Sequence, residues 1–247
     1  MLGYDRPLKP EWIYHTLASI TPGSKPEEFY QSYIDLATER VGKDGIRKTR
    51  TVLFRTFIYS FQEKTSVIEN NILMELCRKH DLEYMKPILL AKFILDYEII
   101  RFLTKKLSQI FDPTQEISAT VLTKKMVDEY GDLEIVKRST RAFLRTLTDF
   151  KLLVPVNTAN FRQVSRIFLE PEQVKDIILL YATVNKTKQI GIHSIDSTLF
   201  AFYQKPDIHA VASEYHTKDW DYIRGVNREI LTIKCILSKD KGENLIF

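Results

Sequence analysis

The sequence predicts a mainly α fold: a helical bundle, then two short helices joined by a turn, then a small β-hairpin. Three observations lead there. Apolar residues recur at helical spacing through 26–111, two short amphipathic helices occupy 119–151, and the apolar period drops towards two over 152–169.

A chain of 247 residues is long enough for one large domain or two small ones. Its 44% hydrophobic and 28% charged content supports a packed core rather than disorder. Cys77 and Cys235 are the only cysteines and form no CxxC pair, which argues against a zinc knuckle or a disulfide framework and for a reducing cytoplasm. Residues 1–10 are polar, contain Pro7 and Pro10, and do not read as a signal peptide. The most apolar stretch, 87–102, is interrupted by Lys92, Asp96, Glu98 and Arg101. A membrane span needs about 18 apolar residues with few charges, so this stretch reads as a buried helix, and no membrane partner is expected.

Residues 1–25 read as a lead-in with a helical turn or two at 11–20. Pro26-Glu27-Glu28 is a helix start with acids in its first turn, and Phe29, Tyr33, Leu36 and Ala37 carry the spacing on towards Gly42. A turn at 42–45 leads into a helix over 46–61, with Val52, Leu53, Phe57, Ile58 and Phe61 on its apolar side. Helices over 67–79 and 84–111 follow, the second open to a break at Pro87; Asp112-Pro113 ends it, because proline disfavours helix in the residue before it. These elements make residues 1–112 an N-terminal bundle.

The next part, 113–170, has another rhythm. A helix over 119–130 buries Val121, Leu122, Met126 and Val127 and stops at Gly131. After a turn at 132–136, Ser139 or Thr140 can cap a second helix running to about Lys151. Strands over 152–156 and 164–169 flank the polar turn 157–160, with Pro155 tolerable only on an edge strand. Helix, turn, helix, hairpin is the order of a winged helix-turn-helix. A mainly helical extension fills 171–247, with helices over 171–185, 208–215 and 220–234.

The charge is unevenly spread. Residues 137–166 hold Lys137, Arg138, Arg141, Arg145, Lys151, Arg162 and Arg166 against the single acid Asp149, while the other residues hold 29 bases and 31 acids. The whole positive balance therefore sits in one stretch, which points to a polyanionic partner. At about 100° per residue, Arg138, Arg141 and Arg145 fall within roughly 60° of one another, opposite Phe143, Leu144, Leu147 and Phe150. One stripe enters a core while three guanidinium groups face outward, suited to bidentate contact with phosphates or guanine edges in a major groove. Ala142 and Thr146 beside them allow a close approach, and Arg162 and Arg166 on the hairpin reach the flanking backbone. A second basic cluster, Lys43, Arg47, Lys48, Arg50 and Arg55, opens the helix at 46–61 against the helix dipole and reads as an accessory phosphate contact.

Catalytic signals are poor. His15, His80, His193, His209 and His216 are scattered, and His209 and His216 with Glu214 and Asp219 match no zinc spacing. Asp132, Glu134 and Lys137 approach a nuclease carboxylate–lysine set, but with one residue too many between glutamate and lysine. Phosphate-loop, GxGxxG and GxSxG motifs are missing. Trp12 and Trp220 read as core rather than as a base-stacking platform. No catalytic residue, metal or cofactor is expected.

The run Lys137-Arg-Ser-Thr-Arg-Ala-Phe-Leu-Arg-Thr-Leu-Thr-Asp-Phe-Lys-Leu-Leu153 resembles the basic, leucine-rich helix of the BREX phage-exclusion A protein family (BrxA-like). Upstream, Ile72-Leu-Met-Glu-Leu-Cys-Arg78 and the apolar helix to Leu107 resemble the helix pair that precedes that segment. The similarity covers about residues 10–185. It departs from the family pattern at Thr21-Pro22-Gly23, where a Gly-rich motif is reduced, and at Lys151, where the family has glycine. The resemblance implies a small, mainly helical, non-enzymatic component of a bacterial anti-phage system, bound to double-stranded DNA. Alternatives are a protein–protein adaptor docking another defence subunit, such as a methyltransferase, and an RNA-binding helical protein.

Overall fold

The computed structural model describes residues 3–38, 42–109, 114–225 and 228–234. Within them the chain is mainly helical and carries two small antiparallel three-stranded sheets. None of its described helices is long and apolar enough to cross a membrane. The chain divides into two compact units, Met1–Arg166 and Ile167–Phe247.

In the first unit, α1 (Pro10–Ser19), α2 (Tyr30–Ala37), α3 (Lys43–Phe57), α4 (Ile72–Lys79), α5 (Leu82–Asp96) and α6 (Glu98–Gln109) follow in order. α1 opens on Pro10, whose missing N–H is no loss in a first turn. α4 starts later than its apolar spacing suggests because the Asn71 side chain accepts from the Leu73 and Met74 amides and closes the helix there. Asp81 caps α5 through the Tyr84 amide. α5 is the centre of the unit, with residues 85–95 all buried, Lys92 among them. The break in the long apolar stretch falls at Tyr97, in extended backbone, while Pro87 continues inside α5. Tyr97 is held there by its hydroxyl, which shares a 2.7 Å hydrogen bond with Thr56 and accepts from Arg55 at 3.1 Å. The expected stop at Asp112-Pro113 lies outside the described residues, as does Cys235.

A short strand that the sequence pattern did not announce, β1 (Glu116–Ser118), precedes α7 (Ala119–Tyr130) and α8 (Glu134–Asp149). Gly131 at φ +86 makes the sharp turn between these helices, a conformation glycine adopts without a Cβ penalty. α8 begins five residues before the expected cap. Ser139 and Thr140 are buried inside it, and the Thr140 hydroxyl donates to the Val136 carbonyl one turn back at 2.9 Å. β2 (Leu153–Pro155) and β3 (Asn160–Gln163) complete the sheet, in the order β1-β3-β2. Pro155 does sit on an edge strand. The return strand starts at 160 rather than 164 because Asn157 accepts from the Ala159 and Asn160 amides and closes the loop early.

Three contacts tie α8 to the bundle across the expected 112/113 boundary. The Tyr4 ring lies edge-on to Phe143 at 6.4 Å, Phe150 packs against Phe93 at 6.3 Å, and the Tyr4 hydroxyl bonds to Thr146. Where the sequence suggests three parts, the contacts therefore group the chain as two.

The second unit holds α9 (Pro171–Asn185), β4 (Gln189–Gly191), α10 (Ile208–Glu214), β5 (Trp220–Arg224) and β6 (Glu229–Ile233), with sheet order β4-β6-β5. The expected helix over 220–234 is a β-hairpin. Trp220, Leu231 and Ile233 are buried while Asp221 and Ile223 are exposed, an alternation of period two that β-branched residues favour. The Trp220 indole N–H donates to the Ala212 carbonyl at 2.9 Å and fixes α10 on the hairpin.

Candidate nucleic-acid interface

α8 separates its two faces cleanly. Val136, Phe143, Leu144 and Leu147 are buried, whereas the Arg138, Arg141 and Arg145 side chains are 53%, 63% and 57% exposed. The arginines thus emerge together on one surface, as the helical spacing requires. Ala142 and Thr146 do not lie beside them. Both are buried, and Thr146 accepts from the Leu8 amide at 3.2 Å, so their small size serves the packing of the N-terminal segment.

Every one of these cations has an acid nearby. Glu134, in the first turn of α8, lies 3.0 Å from Arg138 Nε and 3.3 Å from Arg141 Nη2. The Arg138 hydrogen bond, helped by the charges of Arg138, Arg141 and Lys137, holds the Glu134 carboxyl below its ordinary pKa. Arg145 is 3.9 Å from Asp149, Lys137 pairs with Asp132, and Arg162 on β3 is 3.8 Å from Glu116. A count along residues 137–166 misses three of these acids, because Glu116, Asp132 and Glu134 precede that stretch; Glu134 meets its arginines along α8 itself, and only the sheet brings Glu116 to Arg162.

The other expected contacts scatter. Arg166 lies three residues beyond the end of β3 and is half-buried, so it does not extend the hairpin's charge. On α3, Arg47 and Lys48 are exposed, but Arg50 stacks on the Tyr30 ring at 3.6 Å and Arg55 donates to the Gly3 carbonyl at 2.9 Å. Those two are structural. α3 packs against α1, α2 and α5, not as part of the α7–α8 surface; the Lys43 side chain lies outside the described residues.

Beside the arginines runs an open groove of about 1180 Å3 between α7, α8 and the β2–β3 loop. Lys137, Arg141 and Arg145 line it from α8, and Lys124 lines it from α7. Lys124 escaped the sequence reading because it sits on the preceding helix, outside the basic stretch. A smaller groove of about 430 Å3 shares Arg145, Thr148 and Pro155 with the first and adds Lys9 and Lys151 together with the acids Glu11 and Asp149.

Among the described residues no group of three or more metal-capable side chains comes together. Asp132, Glu134 and Lys137 are taken up by the ion pairs above. His209 lies 3.2 Å from Glu229, and His216 accepts the Tyr222 amide at 2.9 Å. Trp12 and Trp220 are buried. Comparison with family models, curated proteins and solved structures returned no match.

Proposed function

We propose that this chain is a non-enzymatic DNA-binding protein that holds duplex DNA on the exposed face of α8 in a winged-helix arrangement. The observation that carries the reading is the single surface formed by Arg138, Arg141 and Arg145, backed by a buried apolar stripe. The order α6, β1, α7, α8, β2, β3, with β3 between β1 and β2, supports the winged-helix reading. The nearby acids do not forbid it. The Arg138 and Arg141 pairs with Glu134 are solvent-exposed, so exchanging that carboxylate for a phosphate costs little and releases counterions from the duplex. A role in a phage-defence system is carried by the sequence resemblance.

Lys137, Arg138, Arg141, Arg145 and Arg162 together neutralise up to about five phosphates, giving a log–log salt dependence of affinity with a slope of up to about −4.5. Fluorescence anisotropy with a labelled duplex at two salt concentrations measures it. The Arg141→Glu/Arg145→Glu double variant should lose about a hundredfold in affinity. Affinity indifferent to salt, or unchanged in that variant, removes the assignment. Duplex RNA should compete poorly, because the A-form major groove is too narrow for a helix.

A second reading, an adaptor that docks another protein, is favoured by Val154, Val156 and Val164, which leave apolar side chains exposed on and beside the hairpin. It predicts no anisotropy change with any duplex and loss of the partner complex in Val154→Lys.

A further inference from the structure

The duplex reading leaves the inside of the larger groove unexplained. Val127, Leu144, Pro155 and Phe161 line it, and a phosphate backbone has nothing apolar to set against them. Its volume of about 1180 Å3 lies just above that of small-molecule sites, roughly 300–1,000 Å3. The cationic groups at the groove are Lys124, Lys137, Arg141 and Arg145, against one lining acid, Asp132, which Lys137 already engages. Thr120, Thr123, Asn157 and Thr158 add hydroxyl and amide groups to the lining. The far wall is held in place: the Ala119 amide donates to the Ala159 carbonyl at 2.8 Å, fastening the tip of the β2–β3 loop to the start of α7.

We propose that this groove binds a small organic anion with a flat heteroaromatic ring, a mononucleotide being the class that fits, and that its occupation competes with duplex DNA. The ring would cover Val127, Pro155 and Phe161, and the anionic end would meet Arg141 and Arg145. The Arg141–Glu134 pair is exposed, so Arg141 can turn to a phosphate at small cost, and Arg145, itself 57% exposed, adds its charge from beside Asp149. The competition rests on the duplex reading, since it needs Arg141 and Arg145 to serve both ligands. Occupation of the groove itself does not.

The test is isothermal titration of the full chain with AMP, with adenosine and with inorganic phosphate, alongside duplex anisotropy with and without AMP. AMP should bind, and adenosine and phosphate should each bind at least about tenfold more weakly, because each satisfies only one half of the site. Thr123→Trp sets an indole into the groove one turn from Val127 while keeping every cation. It should abolish AMP binding and leave duplex affinity intact; Thr120→Trp on the same wall stands in if that variant does not fold. AMP binding with no duplex binding upholds the groove and removes the duplex reading. No AMP binding, AMP held no better than phosphate, or equal AMP binding by a folded groove-filling variant overturns the proposal.

Discussion

Glu134 and Arg141 lie 3.3 Å apart, seven residues from each other along α8, with Arg138 between them on the same carboxylate oxygen at 3.0 Å. One acid therefore holds two of the three arginines that define the exposed face. Glu134→Gln should release both and remove a negative charge that repels phosphate. Duplex affinity should rise about threefold to tenfold, with a steeper salt slope. Anisotropy titrations read both quantities; an affinity that stays level or falls contradicts the assignment of this face.

Thr146 fastens the underside of the same helix. Its hydroxyl bonds to Tyr4 and accepts from the Leu8 amide, all in buried surroundings. Thr146→Val keeps the shape and removes the hydroxyl, at an expected cost of about 1–2 kcal/mol. Urea denaturation measures that loss, and duplex affinity below the unfolding transition should not change, since the exposed face is untouched.

Lys92 and Asp96 form a buried pair at 2.5 Å one turn apart on α5, with Lys92 also 4.4 Å from the centre of the Phe61 ring. Burial lowers the Lys92 pKa and raises that of Asp96, and their attraction opposes both shifts. Asp96→Asn strands the ammonium in the core and should cost about 3–5 kcal/mol, whereas Lys92→Met/Asp96→Leu should recover most of the loss. A double variant no more stable than the single one would show that the pair is needed for more than mutual neutralisation.

Lys151 adopts φ +61 just after α8, where its amide donates to Thr148 at 3.0 Å and the Leu152 amide donates to Leu147 at 2.9 Å. That is the helix-ending motif in which glycine is preferred. Lys151→Gly should stabilise the protein by about 0.5–1 kcal/mol, since the left-handed strain outweighs the added freedom of the unfolded chain. Its removal from the smaller groove should also weaken duplex binding slightly. Thermal unfolding and anisotropy separate the two effects.

Cys77 is buried in α4, and burial pushes its thiol from an ordinary 9.0 up to about 12. In a Cys235→Ser background it should resist iodoacetamide at pH 8 in the native protein and react once unfolded. The folded chain keeps a proton that the unfolded chain releases. The contribution is therefore fully present below about pH 9 and is lost as pH rises towards 12. Rapid native-state labelling at pH 8 would place the thiol at the surface.

Local chemistry made much of this protein legible in its residues. The faces of α8 follow from a 3.6-residue repeat, Pro155 could only be on an edge, and the mainly helical character is a matter of apolar spacing. Short elements were less readable: three residues of β1 carry too little pattern, and the hairpin of β5 and β6 shares its β-branched and aromatic residues with a plausible helix. Tertiary structure alone decided that Glu116 faces Arg162, that Arg50 and Arg55 serve the bundle, and that Lys124 joins Arg141 and Arg145 around a groove. The physical reason is range. Periodicity, caps and the ion pairs along α8 act over one or two turns, whereas the Glu116–Arg162 pair and the groove walls join residues distant along the chain, and only the folded core brings those together.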